Sequence, residues 1–361
     1  MVRKVDLLGE ALEQRRQAGT FRTLTPPSSG VDFISNDYLG LAREPIELKS
    51  VNGGSGASRL LSGNRHPHLA LENELAHWYA AERALLFHSG FEANHGLFSM
   101  LGALGYRVLY DEEMHASVRS GLLGARVAGW SFKHNDLNDL AAKLERNTEP
   151  AVVVTESVFS MSGDLGDLKG ISELKNRYDF TFVVDEAHGT GTVGGFTGLT
   201  GSLHLLDAVD LRLHTFGKAL GATGACWVGE SRWMDGLVNF CKPFIYSTAP
   251  SPVMVELVAS VHRQFEDLQH ERRTRLNELI AAWGVHTLNL EGYSRNPSPI
   301  QYKITRDAKQ TMKEAEKLRL AGFDVAAIRT PTVKPGDERL RISLHSFNTL
   351  SQLDELLRNV L

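Results

Sequence analysis

The chain has 361 residues, of which 42% are hydrophobic and 23% charged, and its formal net charge is -4. These values are ordinary for a globular protein with one large and one smaller domain, and the lack of basic runs argues against a nucleic-acid partner. Two cysteines, Cys226 and Cys241, without a C-x-x-C pair exclude a disulfide framework and a four-cysteine zinc site. The sequence shows neither a signal peptide nor a stretch of ~18 apolar residues that could span a membrane, so we expect a cytoplasmic protein without a membrane partner.

The first 83 residues predict few regular elements. The N-terminus has the charge spacing of an amphipathic helix, and "VDFISNDYLGLA" predicts a short strand followed by a turn. A glycine-rich loop, "GGSGASRLLSGN", then leads into the helical pattern of "HLALENELAHWYAAE".

Apolar runs alternate with helical segments from about residue 84 onward. Short apolar runs separated by helices are typical of βαβ units, so we predict an α/β fold with a mostly parallel sheet covered on both faces. The predicted strands are "ALLFHS", "RVLYD", "AVVVTES", "FTFVVDEAH", "LRLHTFG" and "ACWVGE".

The pattern changes near residue 250, where "YSTAPSPV" precedes a long helical stretch and a compact α+β tail. We therefore predict a domain boundary within residues 245–255. The expected organisation is an N-terminal helix and strand segment (1–40), a large α/β domain (41–250) and a small C-terminal α+β domain (251–361).

Three motifs point to functions that their surroundings do not support. "GTGTVG" matches a dinucleotide fingerprint, but no helix-forming run follows it. "DEAH" would require a phosphate-cradling loop upstream, and the sequence contains none. His66 and His68 flank a proline, and no carboxylate pattern completes a metal site around them.

Polar residues cluster where the predicted parallel strands end, which is the edge at which open α/β sheets bind ligands. They include Asp185, His188, Thr215 and Lys218. Pyridoxal phosphate suits this set, since its aldehyde needs a lysine, its ring nitrogen a carboxylate, and its phosphate hydroxyls and backbone N–H groups. Each residue also has a plainer interpretation, such as a helix cap, a structural histidine or an exposed lysine.

Five motifs together resemble the α-oxoamine synthases, a branch of the fold-type-I pyridoxal-phosphate-dependent transferases. They occur in the order and approximate spacing of that family, over nearly the whole chain. The motifs are "SNDYLGL", "SGFEANHGL", "TESVFSMSGDLGDL", "VVDEAHGTG" and "TFGKALG".

The resemblance implies a role for each residue at the strand ends. Lys218 is implied as the Schiff-base lysine, Asp185 as the partner of the pyridinium nitrogen, and His115 as the ring that stacks on the pyridine face. Ser247 and Thr248 are expected to reach the phosphate in a neighbouring subunit, so a homodimer is implied as well. The other implied cofactor contacts are Gly90, Phe91, Ser160, His188 and Thr215.

Substrate contacts are implied for two arginines and two smaller residues. Arg329, in "AIRTPTV", would hold the carboxylate of the amino acid, because a guanidinium matches a carboxylate in two-point geometry. Thr332 lies in the same loop, Arg22 would lie near the acyl substrate, and Asn36 would line the mouth of the site. We assign no role to Glu156.

Within the family, "GASRLLSGN" and "AIRTPTV" favour the branch that serves biotin biosynthesis. That branch condenses L-alanine with a pimeloyl thioester of coenzyme A or acyl carrier protein and releases carbon dioxide. Three alternatives stay open: a sister synthase that uses glycine or serine with another thioester, an aminotransferase on the same fold, and a non-catalytic partner subunit. The shortened connections around "LTPPSSGVDFI" and "AREPIELKSVNGGSG" leave the acyl-chain preference open.

Overall fold

The computed structural model describes residues 6–18, 20–24, 26, 28–49 and 52–360. Its contacts divide the chain into two units, Met1–Gly30 and Val31–Leu361. The first unit contains the predicted N-terminal helix α1 (Leu7–Gln17), and the Asp6 carboxylate caps this helix by accepting the Gly9 N–H at 2.9 Å.

The second unit contains two sheets and the helices that cover them. In the described residues its strands are β1 (Val31–Phe33), β2 (Arg83–Phe87), β3 (Arg107–Asp111), β4 (Gly129–Phe132), β5 (Ala151–Glu156), β6 (Thr181–Asp185), β7 (Leu211–Thr215), β8 (Ala225–Gly229), β9 (Ile300–Ile304), β10 (Phe323–Ile328) and β11 (Arg339–Ser343). Its helices are α2 (His66–Trp78), α3 (Gly90–Leu104), α4 (Ala116–Ala125), α5 (Leu137–Glu145), α6 (Leu168–Leu174), α7 (Gly198–Ser202), α8 (Ser231–Phe240), α9 (Lys242–Tyr246), α10 (Pro252–His286), α11 (Ala308–Leu320) and α12 (Leu350–Val360).

The larger sheet has seven strands in the order β2-β8-β7-β6-β5-β3-β4. The pairs β3–β4, β3–β5, β5–β6 and β6–β7 are parallel, whereas β8 runs antiparallel to both of its neighbours, β2 and β7. The predicted mostly parallel sheet is therefore confirmed. Every residue of β5 is buried, which explains why its sequence, "AVVVTE", is continuously apolar up to its last two residues.

Helices cover both faces of this sheet. One apolar cluster joins the sheet to α3, α4 and α8 and includes Leu97, Val118 and Met234. A second cluster on the other face joins the sheet to α5 and α6 and includes Leu140 and Ile171. Burial on both faces leaves the strand ends as the places where polar side chains of the sheet can meet a ligand.

Strand β4 was not predicted from the sequence. It has four residues at the edge of the sheet, and its Trp130 and Ser131 are exposed, so it lacks the apolar run that marks the other strands. This strand is therefore stabilised by its pairing with β3, because its own sequence lacks a strong strand pattern.

The smaller sheet has four strands in the order β1-β10-β11-β9. Strand β1 pairs in parallel with β10, while β10–β11 and β11–β9 are antiparallel. The long helix α10 begins at Pro252, within the range predicted for a domain boundary, but the three-part division of the chain stays a prediction. Among the described residues, no helix has both the length and the apolar character that crossing a membrane requires.

Candidate active site

A cavity of about 430 Å³ lies at the carboxyl ends of the parallel strands. The last residues of β5, β6 and β7, which are Glu156, Asp185 and Thr215, form part of its wall. The residues predicted from the sequence that line it are Asn36, Gly90, Phe91, His115, Ser160, Asp185, His188, Thr215 and Lys218.

Lys218 lies in the turn after β7, where its Nζ donates a hydrogen bond to Thr215 Oγ1 at 3.2 Å. The neighbouring wall is built from small residues, among them Gly217 and Ala222, so the lysine borders open space. Burial lowers the pKa of Lys218, and the negative charge of Asp185 opposes this shift. A lowered pKa increases the neutral fraction of the amine, which is the form that attacks a carbonyl carbon.

Asp185 ends β6 with its carboxylate held on both sides. Oδ1 accepts the Ala187 N–H at 2.9 Å, and Oδ2 accepts the Asn94 amide at 3.3 Å. Asn94, on α3, also donates to Ser117 Oγ at 3.0 Å, so its own orientation is constrained. The two donors fix the orientation of the Asp185 carboxylate, which suits it to pair with a cation in the cavity.

His115 immediately precedes α4 and lines the cavity. Its Nδ1 accepts the Ser117 N–H at 3.3 Å, and its own backbone N–H donates to Glu156 Oε1 at 2.6 Å. Burial lowers the pKa of His115, an effect reinforced by Lys218 and opposed by Asp185. The ring is therefore neutral near pH 7, with its proton on Nε2 because Nδ1 accepts.

His188 and Tyr38 form a buried pair at the same cavity. His188 Nδ1 lies 2.8 Å from Tyr38 Oη, and Tyr38 Oη accepts a hydrogen bond from Arg341 Nη2 at 3.2 Å. Burial lowers the pKa of His188 well below its usual range, and the nearby Lys218 and Arg341 lower it further. His188 is therefore a neutral ring that can hydrogen bond to a polar ligand without adding charge.

Arg341 lies on β11 and brings a guanidinium to the cavity wall. Its Nε donates to the Ser160 carbonyl at 2.7 Å, its Nη1 to Ser343 Oγ at 3.0 Å, and its Nη2 to Asn36 Oδ1 at 3.0 Å. These acceptors are neutral, and the residue is only 5% exposed. A buried guanidinium held by neutral oxygen atoms retains a full charge with which to bind an anion.

The N-terminus of α3 opens onto the cavity at Gly90 and Phe91. Ser89 caps the helix by accepting the N–H groups of Glu92 and Ala93, through its side chain and its backbone respectively. The N–H groups of Gly90 and Phe91 have no acceptor among the described residues. A Cβ on Gly90 would lie 2.6 Å from Thr215 Cγ2, so only glycine fits between the helix and β7. A helix start of this kind suits a phosphate group.

A partly buried ion cluster supports the loop that carries Ser160. His134 Nδ1 lies 3.0 Å from Asp111 Oδ1, and its Nε2 lies 2.7 Å from Asp164 Oδ2. The His134 ring also packs edge-on against Phe159, with centroids 4.4 Å apart. Burial acts to lower the pKa of His134, but its bonds to the two carboxylates outweigh burial and raise it to about 10. The loop is thus tied at its base by an imidazolium between two carboxylates.

Some of the predicted site residues lie elsewhere. Ser247 and Thr248 line a separate small pocket, in which His88 Nε2 donates to the Thr248 carbonyl at 2.8 Å. Arg329 and Thr332 follow β10 and are not among the residues that line the cavity. Arg22 follows α1 in the unit Met1–Gly30. The roles of these residues stay predictions.

Two of the rejected motifs have structural explanations. His68 is fully buried in α2 and its Nε2 donates to the Pro250 carbonyl at 2.7 Å. The glycine-rich run Gly189–Gly194 forms turns after β6, and the next helix starts only at Gly198. Neither segment offers the helix start or ligand set that its motif would require.

Sequence reasoning missed Asn94, Tyr38 and Arg341. Asn94 lies in the quoted motif "SGFEANHGL", one helical turn after Gly90. Tyr38 lies in "SNDYLGL", two residues after Asn36. Arg341 lies in "RLRIS", where the structure buries the polar Arg341 and Ser343 along with the apolar residues, and the alternating sequence alone does not reveal this burial. Such a strand presents a polar face to an enclosed space.

Comparison with known proteins identifies the family. Residues 28–360 match the family model described as aminotransferase class I and II. The 8-amino-7-oxononanoate synthase of Anaeromyxobacter dehalogenans is 37% identical, over 98% of this chain and 94% of that protein. The enzyme of the same name from Chromohalobacter salexigens is 36% identical, over 98% and 95%.

Solved structures extend the similarity to the fold. The 8-amino-7-oxononanoate synthase of Francisella tularensis superposes with a TM-score of 0.78 at 26% identity, over 92% of this chain and 97% of that one. Serine palmitoyltransferase from Sphingomonas wittichii reaches a TM-score of 0.89 at 24% identity, over 99% and 97%, which is evidence for the fold alone. The chain therefore belongs to the class I and II aminotransferase family and, within it, to the α-oxoamine synthases.

Proposed function

We propose that the chain catalyses the decarboxylative condensation of L-alanine with a pimeloyl thioester to 8-amino-7-oxononanoate, in the biosynthesis of biotin. The observation that carries this function is the near-full-length similarity to curated enzymes of that name. The cavity contains the side chains that this reaction requires, because Lys218, Asp185 and Arg341 all line it. The fold, the soluble substrates and the free thiols of Cys226 and Cys241 are consistent with an enzyme of the cytoplasm.

Pyridoxal phosphate is the cofactor, and the donor set of the cavity fits it. Lys218 provides the amine for its aldehyde, and Asp185 provides a negative charge for its ring nitrogen. The N–H groups of Gly90 and Phe91, for which the described residues offer no acceptor, suit its phosphate. When bound, this cofactor supplies an electron sink for a carbanion at the α-carbon of an amino acid.

The residues of the chain divide the remaining work. Lys218 anchors the cofactor and, once displaced, takes and returns the α-proton at Nζ, since its pKa is lowered by burial. His115 presents a neutral ring to the cavity, and the His188 ring and Ser160 hydroxyl offer hydrogen bonds to cofactor oxygens. Thr215 holds Lys218 Nζ at 3.2 Å, which orients the amine before the reaction.

We assign the carboxylate of the amino acid to Arg341. This arginine lines the cavity and is buried, whereas Arg329, the residue expected from the sequence, does not line it. Asn36 accepts from Arg341 and borders the same space, so it would help to orient the amino acid. Arg22 is retained as a candidate contact of the acyl substrate, and Thr332 as a candidate substrate contact in the loop of Arg329.

We also propose that the protein works as a homodimer in which Ser247 and Thr248 contribute to the cavity of the partner. The surface beside them is apolar and exposed, with Tyr246 at 81% and Leu61 at 76%. The two segments are adjacent, because the Ala249 N–H donates to the Ala57 carbonyl at 2.9 Å. Large exposed apolar side chains next to each other are typical of an interface.

The function is tested by direct competition in an assay of thiol release. L-alanine, glycine and L-serine are each offered with pimeloyl, succinyl and palmitoyl thioesters, on both coenzyme A and acyl carrier protein. Alanine with a pimeloyl thioester should give the highest kcat/KM, although a methyl group contributes only about 1–3 kcal/mol of discrimination. A higher kcat/KM for glycine or serine with another thioester would assign the chain to a sister synthase instead.

A further inference from the structure

Glu156 is a second carboxylic acid in the cavity that the proposed mechanism does not use. It is the last residue of β5 and the register partner of Asp185 on the neighbouring parallel strand. Both side chains are nearly buried, Glu156 at 3% and Asp185 at 5% exposure, and both line the cavity. Residues paired across adjacent strands are about 5 Å apart and point to the same face of the sheet.

Two carboxylates at this spacing in a buried site do not both ionise readily. Like charges at short range raise the free energy of the doubly ionised state, and burial adds to that cost. The two carboxyl groups differ in their hydrogen bonds, because Asp185 accepts two, from Ala187 and Asn94. Glu156 accepts one, from the backbone N–H of His115 at 2.6 Å.

The charged and titratable groups that face Glu156 act in both directions. Burial raises the pKa of Glu156 well above its usual range, and the charges of Asp185 on β6 and Asp111 on β3 raise it further. The His115 N–H and the Lys218 ammonium lower it, but by less. Asp111 is in turn paired with His134, which limits its influence.

We propose that Glu156 is a positioning residue that acts as an uncharged acid: its carbonyl oxygen holds the His115 backbone, and thereby the His115 ring, while Asp185 alone carries negative charge at the ring nitrogen of the cofactor. His115 immediately precedes α4, so its backbone position decides where its ring lies in the cavity. The role rests on the proposed function only as far as activity is concerned. The charge state of Glu156 is a property of the protein without cofactor.

The first test compares matched neutralisations on the two paired strands, E156Q and D185N, in the enzyme loaded with cofactor. Glutamine reproduces the shape and carbonyl of an uncharged glutamic acid, so E156Q should keep kcat/KM within about threefold, whereas D185N should lose about 100-fold or more. E156D keeps the carboxyl group but shortens its reach to the His115 N–H. It should therefore lose more activity than E156Q and alter the circular dichroism induced in the bound cofactor.

The second test uses the cofactor-free protein, so it is independent of the substrates. A carboxyl pKa raised by folding means that the folded state binds more protons, so wild-type stability falls as the pH rises above about 4.5. The Tm of E156Q should therefore increase relative to wild type between pH 5 and pH 8. A constant Tm difference over this range, or an E156Q variant that folds like wild type yet loses as much activity as D185N, would overturn the inference. Failure of the substrate assignment alone would leave the Tm result unchanged.

Discussion

Replacing Arg341 with lysine tests which arginine binds the amino acid. The guanidinium of Arg341 is fixed by Ser160, Ser343 and Asn36 and borders the cavity. Lysine retains the positive charge but presents a point charge in place of a planar two-point donor. We expect R341K to raise KM for L-alanine strongly while KM for the pimeloyl thioester stays close to the wild-type value.

The expected loss of kcat/KM for L-alanine in R341K follows from the burial of Arg341 and of the carboxylate that it would bind. R341K keeps the charge but loses one of the two hydrogen bonds to the carboxylate, and a hydrogen bond to a charged group contributes about 1.5–3 kcal/mol. Arg341 is 5% exposed, so solvent cannot replace the lost contact, and a value of about 3 kcal/mol is appropriate. That corresponds to a fall of about 150-fold in kcat/KM for L-alanine.

Arg329 provides the matched control. It follows β10 outside the cavity, so R329K should change kcat/KM by less than about threefold. Steady-state kinetics with each substrate varied in turn gives both values, and cofactor absorbance checks that each variant is loaded. If R329K raised KM for L-alanine and R341K did not, the assignment of the carboxylate to Arg341 would be wrong and the expectation from the sequence would be right.

Three further predictions concern the attachment of the cofactor to Lys218, the sharing of sites between subunits and the stability of the protein at alkaline pH. Borohydride reduction and peptide mapping should place the pyridoxyl group on Lys218, and K218A should lose essentially all turnover; a label on any other lysine would refute this. Mixed dimers of K218A and T248V subunits should recover part of the activity, because one of their two sites then carries neither defect; no recovery despite measured subunit exchange would argue against shared sites. Asp111 and Asp164 raise the pKa of His134 to about 10, so the protonated ring adds stability that is fully present below about pH 6.5 and lost as the pH rises through about 10. The Tm of the wild type should therefore fall over that pH range, whereas the Tm of H134Q should not. Equal slopes of Tm against pH for the two proteins would contradict the ion cluster.

The sequence predicted the large sheet well because its strands carry their own signal. The apolar runs of β5 and β6 are buried on both faces, so local composition and tertiary position agree. Strand β4 could not be predicted in this way, because it lies at the edge of the sheet and two of its residues are exposed. A strand that depends on its neighbour for pairing cannot be identified from its own residues.

The site was predictable where each strand ends and much less so where distant segments meet. Lys218 and Asp185 follow apolar strands directly, and the structure places both in the cavity. Arg341 reaches the same cavity from a strand of the other sheet, and no spacing along the chain reveals that approach. The sequence pointed instead to Arg329, in the motif "AIRTPTV", and the role of that arginine stays a prediction.

The pairing of β1 with β10 has a consequence for the order in which the protein is made. Val31 lies opposite Phe323, so the first strand of the small sheet cannot pair until its partner has been translated, almost 300 residues later. Asn36 and Tyr38 follow β1, and their partner Arg341 lies still further along the chain. The side of the cavity that contains Asn36, Tyr38 and Arg341 can therefore form only after nearly the whole chain has been synthesised, whereas the strands of the large sheet are all present earlier. A chain that ends before β10 contains Lys218 and Asp185 but lacks Arg341, and with it the contact that we propose for the carboxylate of the amino acid.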